Sequence, residues 1–286
     1  MTTQTSEQLV QVVTAANEKY LPYLACLLTT MGENGSVSAP LEITIVHRGI
    51  SQHAQRGLET LVPPHHRLHW IEPNVELLRK IEAPLEFETC SPHYLRLLAP
   101  FLLPHHQRAI YLDADTMVLD ELSTLWATPL EDYPVAAVRD YLPCIRDAVT
   151  NWKELRLDPD APYFNSGVLV MDLIHWRTEM LSQRVLNTCR ENKDHLLAQQ
   201  KWPQYDQYGL NVVLHGRWKA LDPMWNRGTD LPPSAARIVH FIGNGKVELP
   251  TCQPFFKRLF FDVLSRTPYR DWHPPADVGA DWVSTT

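Results

Sequence analysis

Two carboxylates separated by a single residue, Asp113 and Asp115, follow an apolar run that begins at Arg108. Such a run predicts a buried strand, and the two side chains would then stand at its end. Hard divalent cations such as Mg²⁺ and Mn²⁺ prefer oxygen ligands, and the oxygens of a diphosphate can complete their coordination. The pair therefore indicates a metal site that serves a phosphate-bearing ligand.

The same pair has a second interpretation as ordinary turn chemistry. Aspartates at the end of a strand often accept backbone hydrogen bonds and start the next segment of chain. The spacing of Asp113 and Asp115 alone favours neither interpretation, so the choice depends on other segments.

Strands alternate with helices through the first half of the chain. The residue pattern predicts strands over 9–15, 41–47, 67–71, 108–112 and 135–138, and helices over 20–31, 52–61 and 94–103. This alternation is typical of an α/β fold with a largely parallel sheet. Ligands of such sheets bind outside the carboxyl ends of the strands. Asn17, Asp113, Asp115 and Asp140 each follow a predicted strand, so we expect them on one edge of the sheet.

The second half of the chain has a looser pattern. The small residues at 165–167 predict a turn that leads into an apolar strand. Gly167 in this turn permits the close approach of another group or a positive φ. A helix is predicted over 178–199 and a strand over 237–240. No linker is evident, so we expect one domain over residues 1–250 and a C-terminal appendage over 251–286.

The composition restricts the class of protein. The chain has 286 residues, of which 44% are hydrophobic and 21% charged, and these values are typical of a globular protein. Its formal net charge is −7, whereas proteins built to hold nucleic acid usually carry a basic patch. We therefore expect no nucleic-acid partner, and we expect an anionic ligand to need a metal or a few placed basic residues.

The expected location is the cytoplasm. The first eight residues are polar and lack the pattern of a secretory signal, and no apolar run approaches the roughly 18 residues of a membrane span. The five cysteines are scattered and include no Cys-x-x-Cys pair, which fits neither a disulfide framework nor a zinc site.

Five segments in sequence order carry a resemblance to a known family. They are Val13-Thr-Ala-Ala-Asn17, Tyr94-Leu-Arg-Leu97, Tyr111-Leu-Asp-Ala-Asp115, Phe164-Asn-Ser-Gly-Val168 with Asp206-Gln207, and His240-Phe-Ile-Gly-Asn-Gly-Lys246. Together the set resembles the retaining glycosyltransferases of family 8, which include bacterial lipooligosaccharide galactosyltransferases and glycogenin. The resemblance covers roughly residues 10–250.

The resemblance implies a GT-A fold, a single Rossmann-like domain with a mainly parallel central sheet. It also implies a UDP-sugar donor, usually of glucose or galactose, and Mn²⁺ on the diphosphate, with Mg²⁺ as the alternative ion. By residue-to-residue correspondence, Asp113, Asp115 and His240 would be the metal ligands. Two carboxylates and an imidazole suit Mn²⁺ better than a thiol-rich site would.

The resemblance also assigns the donor contacts. The nucleotide and its phosphates correspond to Ala15, Asn17, Tyr20, Asp113, Ala114, Asp115, Gly243 and Lys246. Tyr20 has a second interpretation as a core aromatic. The chain departs from the galactosyltransferase pattern at Asn17 and Lys19, where Asp and Asn are common, and after Lys246, where Val-Glu replaces the usual Pro-Trp.

The sugar and the reacting carbon correspond to Arg96, Asp140, Asn165, Asp206 and Gln207. Arg96 and Asp140 have an alternative role in a salt bridge or a helix cap. An amide such as that of Gln207 is a poor nucleophile, which favours attack of the acceptor on the face that the phosphate leaves. Asp206 as a nucleophile is the open alternative.

The acceptor is open between a saccharide, a lipid-linked molecule and a protein. The stretch from Phe255 to Phe261 either contacts a membrane peripherally or packs on the core. Two other functions also stay open. One is a family member that binds a nucleotide sugar without transferring it. The other is a haloacid-dehalogenase-type phosphatase, although Met117 stands where that class has Thr.

Overall fold

The computed structural model describes residues 9–35, 39–80, 92–198, 205–233 and 235–274. The strands in these ranges are β1 Val10–Asn17, β2 Leu41–Arg48, β3 Arg67–Ile71, β4 Arg108–Asp113, β5 Thr116–Val118, β6 Val135–Cys144, β7 Pro162–Asp172, β8 Lys219–Ala220, β9 Arg227–Gly228 and β10 Ile238–His240.

The helices surround these strands in the chain. They are α1 Leu21–Asn34, α2 Gln52–Glu59, α3 Val75–Lys80, α4 Ala99–Leu102, α5 Leu122–Trp126, α6 Ile145–Ala148, α7 Leu173–Thr178, α8 Leu181–Glu191, α9 Lys193–Ala198, α10 Tyr205–Val213 and α11 Pro254–Leu264. Short 3₁₀ helices cover Glu18–Tyr20, Pro92–Leu98, Pro223–Asn226 and Gly243–Gly245.

A seven-stranded sheet in the order β3-β2-β1-β4-β7-β6-β8 forms the centre of the molecule. The pairs β1 with β2, β2 with β3, β1 with β4 and β6 with β8 are parallel, and only β7 runs against its neighbours β4 and β6. The prediction of an α/β fold with a mainly parallel sheet is therefore confirmed.

Hydrophobic layers cover both faces of this sheet, because successive side chains of a strand point to opposite faces. Val12 of β1 packs in the layer with α1 and α11, whereas Val13 packs in the layer with α8 and α10. The central strands β4 and β7 are consequently apolar along most of their length.

The carboxyl ends of β1 and β4 meet at one edge of the sheet, as predicted. Ala15 lies opposite Asp113 in the parallel register of these strands, and Asp113 is the last residue of β4. A second, three-stranded sheet in the order β5-β10-β9 begins at this edge, and His240 pairs with Thr116 in it. The backbone N–H of Phe241 donates to the carbonyl of Asp115 at 2.9 Å, which locks β10 beside the two aspartates.

Two predictions about this edge were wrong in local detail. Asp140 does not follow a strand but lies within β6, and residues 165–167 form no turn but belong to the continuous strand β7. The register of β6 and β7 explains both results. Ala137 pairs with Leu169, but the next residue, Val138, pairs with Asn165. Residues 166–168 of β7 therefore have no partner in β6 and form a bulge. A bulge of this kind bends a strand and redirects its side chains.

Two predicted helices are divided. The segment 178–199 contains α8 and α9, because α8 ends before Asn192, whose φ of −112° and ψ of 24° are not helical. Met180, with a left-handed φ of 51°, separates α8 from the end of α7. The segment 94–103 is a 3₁₀ helix over Pro92–Leu98 followed by the short α4. Pro100 has no N–H with which to extend the preceding turn, so a new helix starts there.

Helix α11 packs on the core through one face. The rings of Phe256 and Phe260 are buried, and the Phe260 ring lies 5.0 Å from that of Tyr23 between centroids. Phe255 on the other face is 48% exposed. Membrane contact through this region and a domain boundary at residue 250 stay predictions. Across the described parts of the chain, no helix combines the length and the apolar character needed to cross a membrane.

Replacing Phe260 by Ala should lower the free energy of unfolding by about 3–5 kcal/mol, since a fully buried ring is lost and a cavity remains. Phe255→Ala on the exposed face is the matched control and should change it by about 0.5 kcal/mol or less. Urea unfolding followed by circular dichroism measures both values. Equal effects of the two variants would contradict the packing of α11 on the core.

Candidate active site

Asp113, Asp115 and His240 form a cluster in which each offers a ligand atom within 4.8 Å of the others. The aspartates come from the end of β4 and the turn to β5, and the histidine ends β10. His240 Nε2 lies 3.2 Å from Asp115 Oδ1 and 3.7 Å from Asp113 Oδ2. Residues more than 120 positions apart thus converge because β5 and β10 pair.

The donor set of this cluster fits a divalent cation. His240 Nδ1 lies 2.9 Å from the side-chain oxygen of Asn226, which can only accept, so Nδ1 carries the ring proton. The lone pair of Nε2 then faces the carboxylate oxygens, an arrangement that is repulsive without a cation between them. Two oxygens and one imidazole nitrogen suit Mn²⁺ or Mg²⁺, and the hydrogen bond at Nδ1 is how proteins orient metal-binding histidines.

Gly167, in the bulged part of β7, lies against two members of this cluster. A Cβ atom at this position would stand 2.2 Å from His240 Cε1 and 2.8 Å from Asp113 Oδ2. Both distances are far below van der Waals contact, so a side chain here would displace both residues. The close approach predicted for Gly167 is present, and it brings the strand next to the metal cluster.

Arg96 is buried and contacts two aspartates, Asp113 of the cluster and Asp206 of α10. Its Nη2 donates to Asp113 Oδ1 at 3.0 Å, and its Nε lies 2.7 Å from Asp206 Oδ2. The guanidinium also stacks on the ring of Tyr111 at 4.5 Å, and the Tyr111 hydroxyl donates to the same oxygen of Asp113 at 2.9 Å. Arg96 and Tyr111 therefore fix one oxygen of Asp113 and leave the other directed at His240.

Lys246 occupies the opposite side of the cluster. Its ammonium donates to Asp115 Oδ2 at 2.5 Å and to the hydroxyl of Tyr20 at 3.0 Å, and it lies 4.7 Å from the centre of the Tyr20 ring. Burial opposes the charge on each partner, but the attraction between them outweighs it: the pKa of Lys246 is raised and that of Asp115 is lowered. Both groups are therefore ionised at neutral pH.

Asp140 is the centre of a second hydrogen-bonded group. It accepts from the backbone N–H of Leu142 at 2.9 Å, from the amide of Asn165 at 2.9 Å and from the amide of Gln207 at 3.1 Å. Burial nevertheless raises the pKa of Asp140. The carbonyl oxygen of Gln207 accepts from the backbone N–H of Ser166 at 2.9 Å, so both ends of this amide are engaged.

The ionised groups of the site do not balance. The site has four carboxylates, on Asp113, Asp115, Asp140 and Asp206, but only two cationic side chains, Arg96 and Lys246, so two formal negative charges are left without a partner. Unbalanced charge in a buried site is costly, and one divalent cation would supply the difference.

The remaining predicted residues lie around this group. Ala15 and Ala114 are buried, and Asn17 caps the short helix after β1 by accepting from Lys19 N at 3.1 Å. Gly243, with a φ of 50°, starts the turn that carries Lys246. A cleft of about 610 Å³ opens between Asp140 and Gly243, and Asn165 and Asn226 also line it. Asn226 was not predicted, because no motif or periodicity marks it.

The sequence profile described as "Glycosyl transferase family 8" matches residues 11–247. General stress protein A of Bacillus subtilis (strain 168) is 25% identical over 295 residues, which cover 94% of this chain and 98% of that protein. Glycosyltransferase GlyA of Streptococcus pneumoniae serotype 4 is 34% identical over 153 residues, which are 49% of this chain and only 19% of that protein.

Solved structures show the same fold. The galactosyltransferase LgtC, in complex with donor and acceptor sugar analogs, superposes with a TM-score of 0.73 at 20% identity, over 96% of this chain and 99% of that one. The bifunctional glycosyltransferase WbbM gives a TM-score of 0.71 at 18% identity, over 97% of this chain and 52% of that one. The expectation of a GT-A type fold is therefore confirmed.

Gly167→Ala should weaken Mn²⁺ binding about 100-fold or more, because the added methyl group displaces His240 and Asp113. Isothermal titration of the metal measures this effect. Gly57→Ala is the control, since its Cβ would meet Pro268 at an ordinary 3.7 Å and should leave metal binding unchanged. Unchanged Mn²⁺ affinity in Gly167→Ala would contradict the close approach of Gly167 to His240 and Asp113.

Asp206 should make the protein less stable as the pH rises. Burial raises the pKa of Asp206 to about 6, against the opposing charge of Arg96, whereas an unfolded Asp titrates near pH 3.9. The folded state therefore binds more protons between these values. The stability of the wild type relative to Asp206→Asn should fall by about 2 kcal/mol between pH 4 and pH 7.

Urea unfolding of both proteins at several pH values measures this difference. Asp132→Asn, at an exposed position, is the control and should follow the wild type at every pH. If the wild type instead gains stability over Asp206→Asn as the pH rises, the ion pair with Arg96 dominates and the raised pKa is wrong.

Proposed function

Because this chain belongs to glycosyl transferase family 8, we propose that it is a retaining glycosyltransferase that moves a hexose from a UDP-sugar to a hydroxyl group. The observation that carries the proposal is the convergence of Asp113, Asp115 and His240 at the edge of the sheet. Asp113, Asp115 and His240 would hold Mn²⁺, or Mg²⁺ as the alternative. A bound cation would neutralise the diphosphate as it leaves.

The position of Lys246 supports the proposal that the donor carries a diphosphate. Its ammonium is buried at the same edge as the metal cluster and already pairs with one carboxylate oxygen of Asp115. A phosphate oxygen that arrives beside Asp115 would find this charge within reach, together with the backbone of the turn at Gly243–Gly245. The positive charge would stabilise the leaving group as the sugar departs.

The nucleoside would lie at the carboxyl end of β1. Ala15 and Asn17 belong to this end of the strand, and Tyr20 lies in the short 3₁₀ helix that follows. We propose uridine as the base on the family resemblance. Tyr20 contributes its hydroxyl to Lys246, and its ring lies 5.8 Å from that of Tyr23, so it also belongs to the core. A stacking role for Tyr20 stays a prediction.

The contacts of the carboxylates support same-face attack over a covalent intermediate. Asp140 accepts three hydrogen bonds, which occupy its electron pairs, and Asp206 lies in a buried ion pair with Arg96 that holds its carboxylate in place. Gln207 offers only an amide. We propose that the bond between the anomeric carbon and the phosphate breaks as the acceptor oxygen attacks the same face. The departing phosphate oxygen takes the proton of the acceptor hydroxyl.

Asp140, Asn165 and Gln207 would orient the sugar at the inner end of the cleft. Carboxylates and amides recognise hexose hydroxyls by hydrogen bonds. The acceptor would enter along the outer part, where Tyr141 is 64% exposed. Whether it is a saccharide, a lipid-linked molecule or a protein, and whether the protein acts in the cytoplasm at a membrane surface, stay predictions.

Asp113→Asn and Asp115→Asn should each lower Mn²⁺-dependent UDP binding about 100-fold or more and abolish transfer. An asparagine at position 113 still accepts the hydrogen bonds of Arg96 and Tyr111, and one at position 115 still accepts that of Lys246. Neither amide has the charge that would hold the cation. A thermal-shift screen of nucleotide sugars with and without Mn²⁺ identifies the donor, and isothermal titration then measures its binding.

Asp132→Asn on the exposed surface is the control and should behave as the wild type. Undiminished Mn²⁺-dependent transfer by either active-site variant would remove the metal assignment. Donor binding by the wild type without transfer or hydrolysis, across a range of acceptors, would favour a family member that binds nucleotide sugars without catalysis.

A further inference from the structure

The side chain of Asn226 lies between the metal cluster and the sugar-facing residues. It ends the 3₁₀ helix Pro223–Asn226, directly before β9, which pairs in parallel with β10. Its amide oxygen lies 2.9 Å from His240 Nδ1, and its amide nitrogen donates to Asn165 Oδ1 at 2.7 Å. One amide thus contacts both a predicted metal ligand and a predicted sugar-binding residue.

The direction of each hydrogen bond in this region is determined by the next. Asp140 is a carboxylate and can only accept, so Asn165 must turn its NH₂ group towards it, at 2.9 Å. Asn165 Oδ1 then accepts from the backbone N–H of Gly167 at 2.9 Å and from Asn226. Asn226 must therefore direct its oxygen at His240, whose Nδ1 has to carry the proton.

We propose that Asn226 is a positioning residue which, through Asn165 and Asp140, fixes His240 in the tautomer that can bind a cation. This inference rests on the metal site of the proposed function. The other neutral tautomer would direct an N–H from Nε2 at Asp115, 3.2 Å away, and would hydrogen-bond to it in place of a cation. The series Asp140, Asn165, Asn226 and His240 excludes that competing state.

The series also couples the two halves of the site. Asp140 lines the cleft together with Asn165, yet its charge determines the orientation of the Asn165 amide, which reaches His240 through Asn226. A change at Asp140 should therefore alter metal binding, although its carboxylate is not a member of the cluster Asp113, Asp115 and His240.

The test combines ¹⁵N NMR of the imidazole nitrogens of the metal-free protein with calorimetric titration of Mn²⁺. The His240 signals are assigned by their loss in His240→Gln. We expect a proton on Nδ1 in the wild type. Asn226→Leu keeps the approximate volume but cannot hydrogen-bond, so we expect the proton to shift to Nε2 and Mn²⁺ affinity to fall about 10- to 100-fold.

Asn226→Asp is the conservative variant, because its carboxylate still accepts from Nδ1–H. It should keep the proton on Nδ1 and bind Mn²⁺ more tightly than Asn226→Leu. Asp140→Asn should give a mixture of tautomers and about 10-fold weaker Mn²⁺ binding. Its control is Asp147→Asn, an exposed position on the same cleft, which should change neither reading. Thermal unfolding of each variant confirms that the protein is folded.

The proposal is overturned if the wild type carries its proton on Nε2, or if folded Asn226→Leu keeps the proton on Nδ1. It is also overturned if folded Asn226→Leu keeps the affinity for Mn²⁺ of a wild type that binds the ion. A wild type that binds no Mn²⁺, but shows the Nδ1 proton and loses it in Asn226→Leu, upholds the tautomer assignment and overturns the metal-dependent function. The NMR measurement thus separates the two proposals.

Discussion

An excess of buried negative charge at the end of β4 is the constraint on which the rest of the site depends. Carboxylates can be kept ionised away from water only where cations or several hydrogen-bond donors surround them. Arg96 beneath Asp113, Lys246 beside Asp115 and the amides around Asp140 satisfy this condition in part. A divalent cation would neutralise the two charges that stay unbalanced.

The topology of the sheets brings these groups together. Parallel pairing of β1 with β4 places the carboxyl end of β1 beside Asp113, and antiparallel pairing of β5 with β10 brings His240 to Asp115. The reversed strand β7 contributes its amino-terminal half to the same edge, where its bulge allows Gly167 to approach the cluster. Polar residues from distant parts of the chain meet here because the pairing of these strands brings their ends to one edge.

Much of this arrangement could be predicted from sequence, and the exceptions have physical causes. The position of Asp113 follows from an apolar strand that ends in a carboxylate, which is a local pattern. The position of Asp140 within β6 depends on a register shift against β7, and a single strand carries no signal of how its neighbour is registered. Asn226 acts only through side-chain contacts with His240 and Asn165, so its own neighbours in sequence give no indication of its role.

Asp206 and Gln207 are adjacent in sequence but have different surroundings. They occupy the first turn of α10, where successive side chains point in directions about 100° apart. Asp206 therefore meets Arg96 below the metal cluster, whereas Gln207 meets Asp140 beside the cleft. One helix end thus supports both the cluster of Asp113, Asp115 and His240 and the group around Asp140. Because both contacts are buried, a shift of this helix would disturb the two groups together.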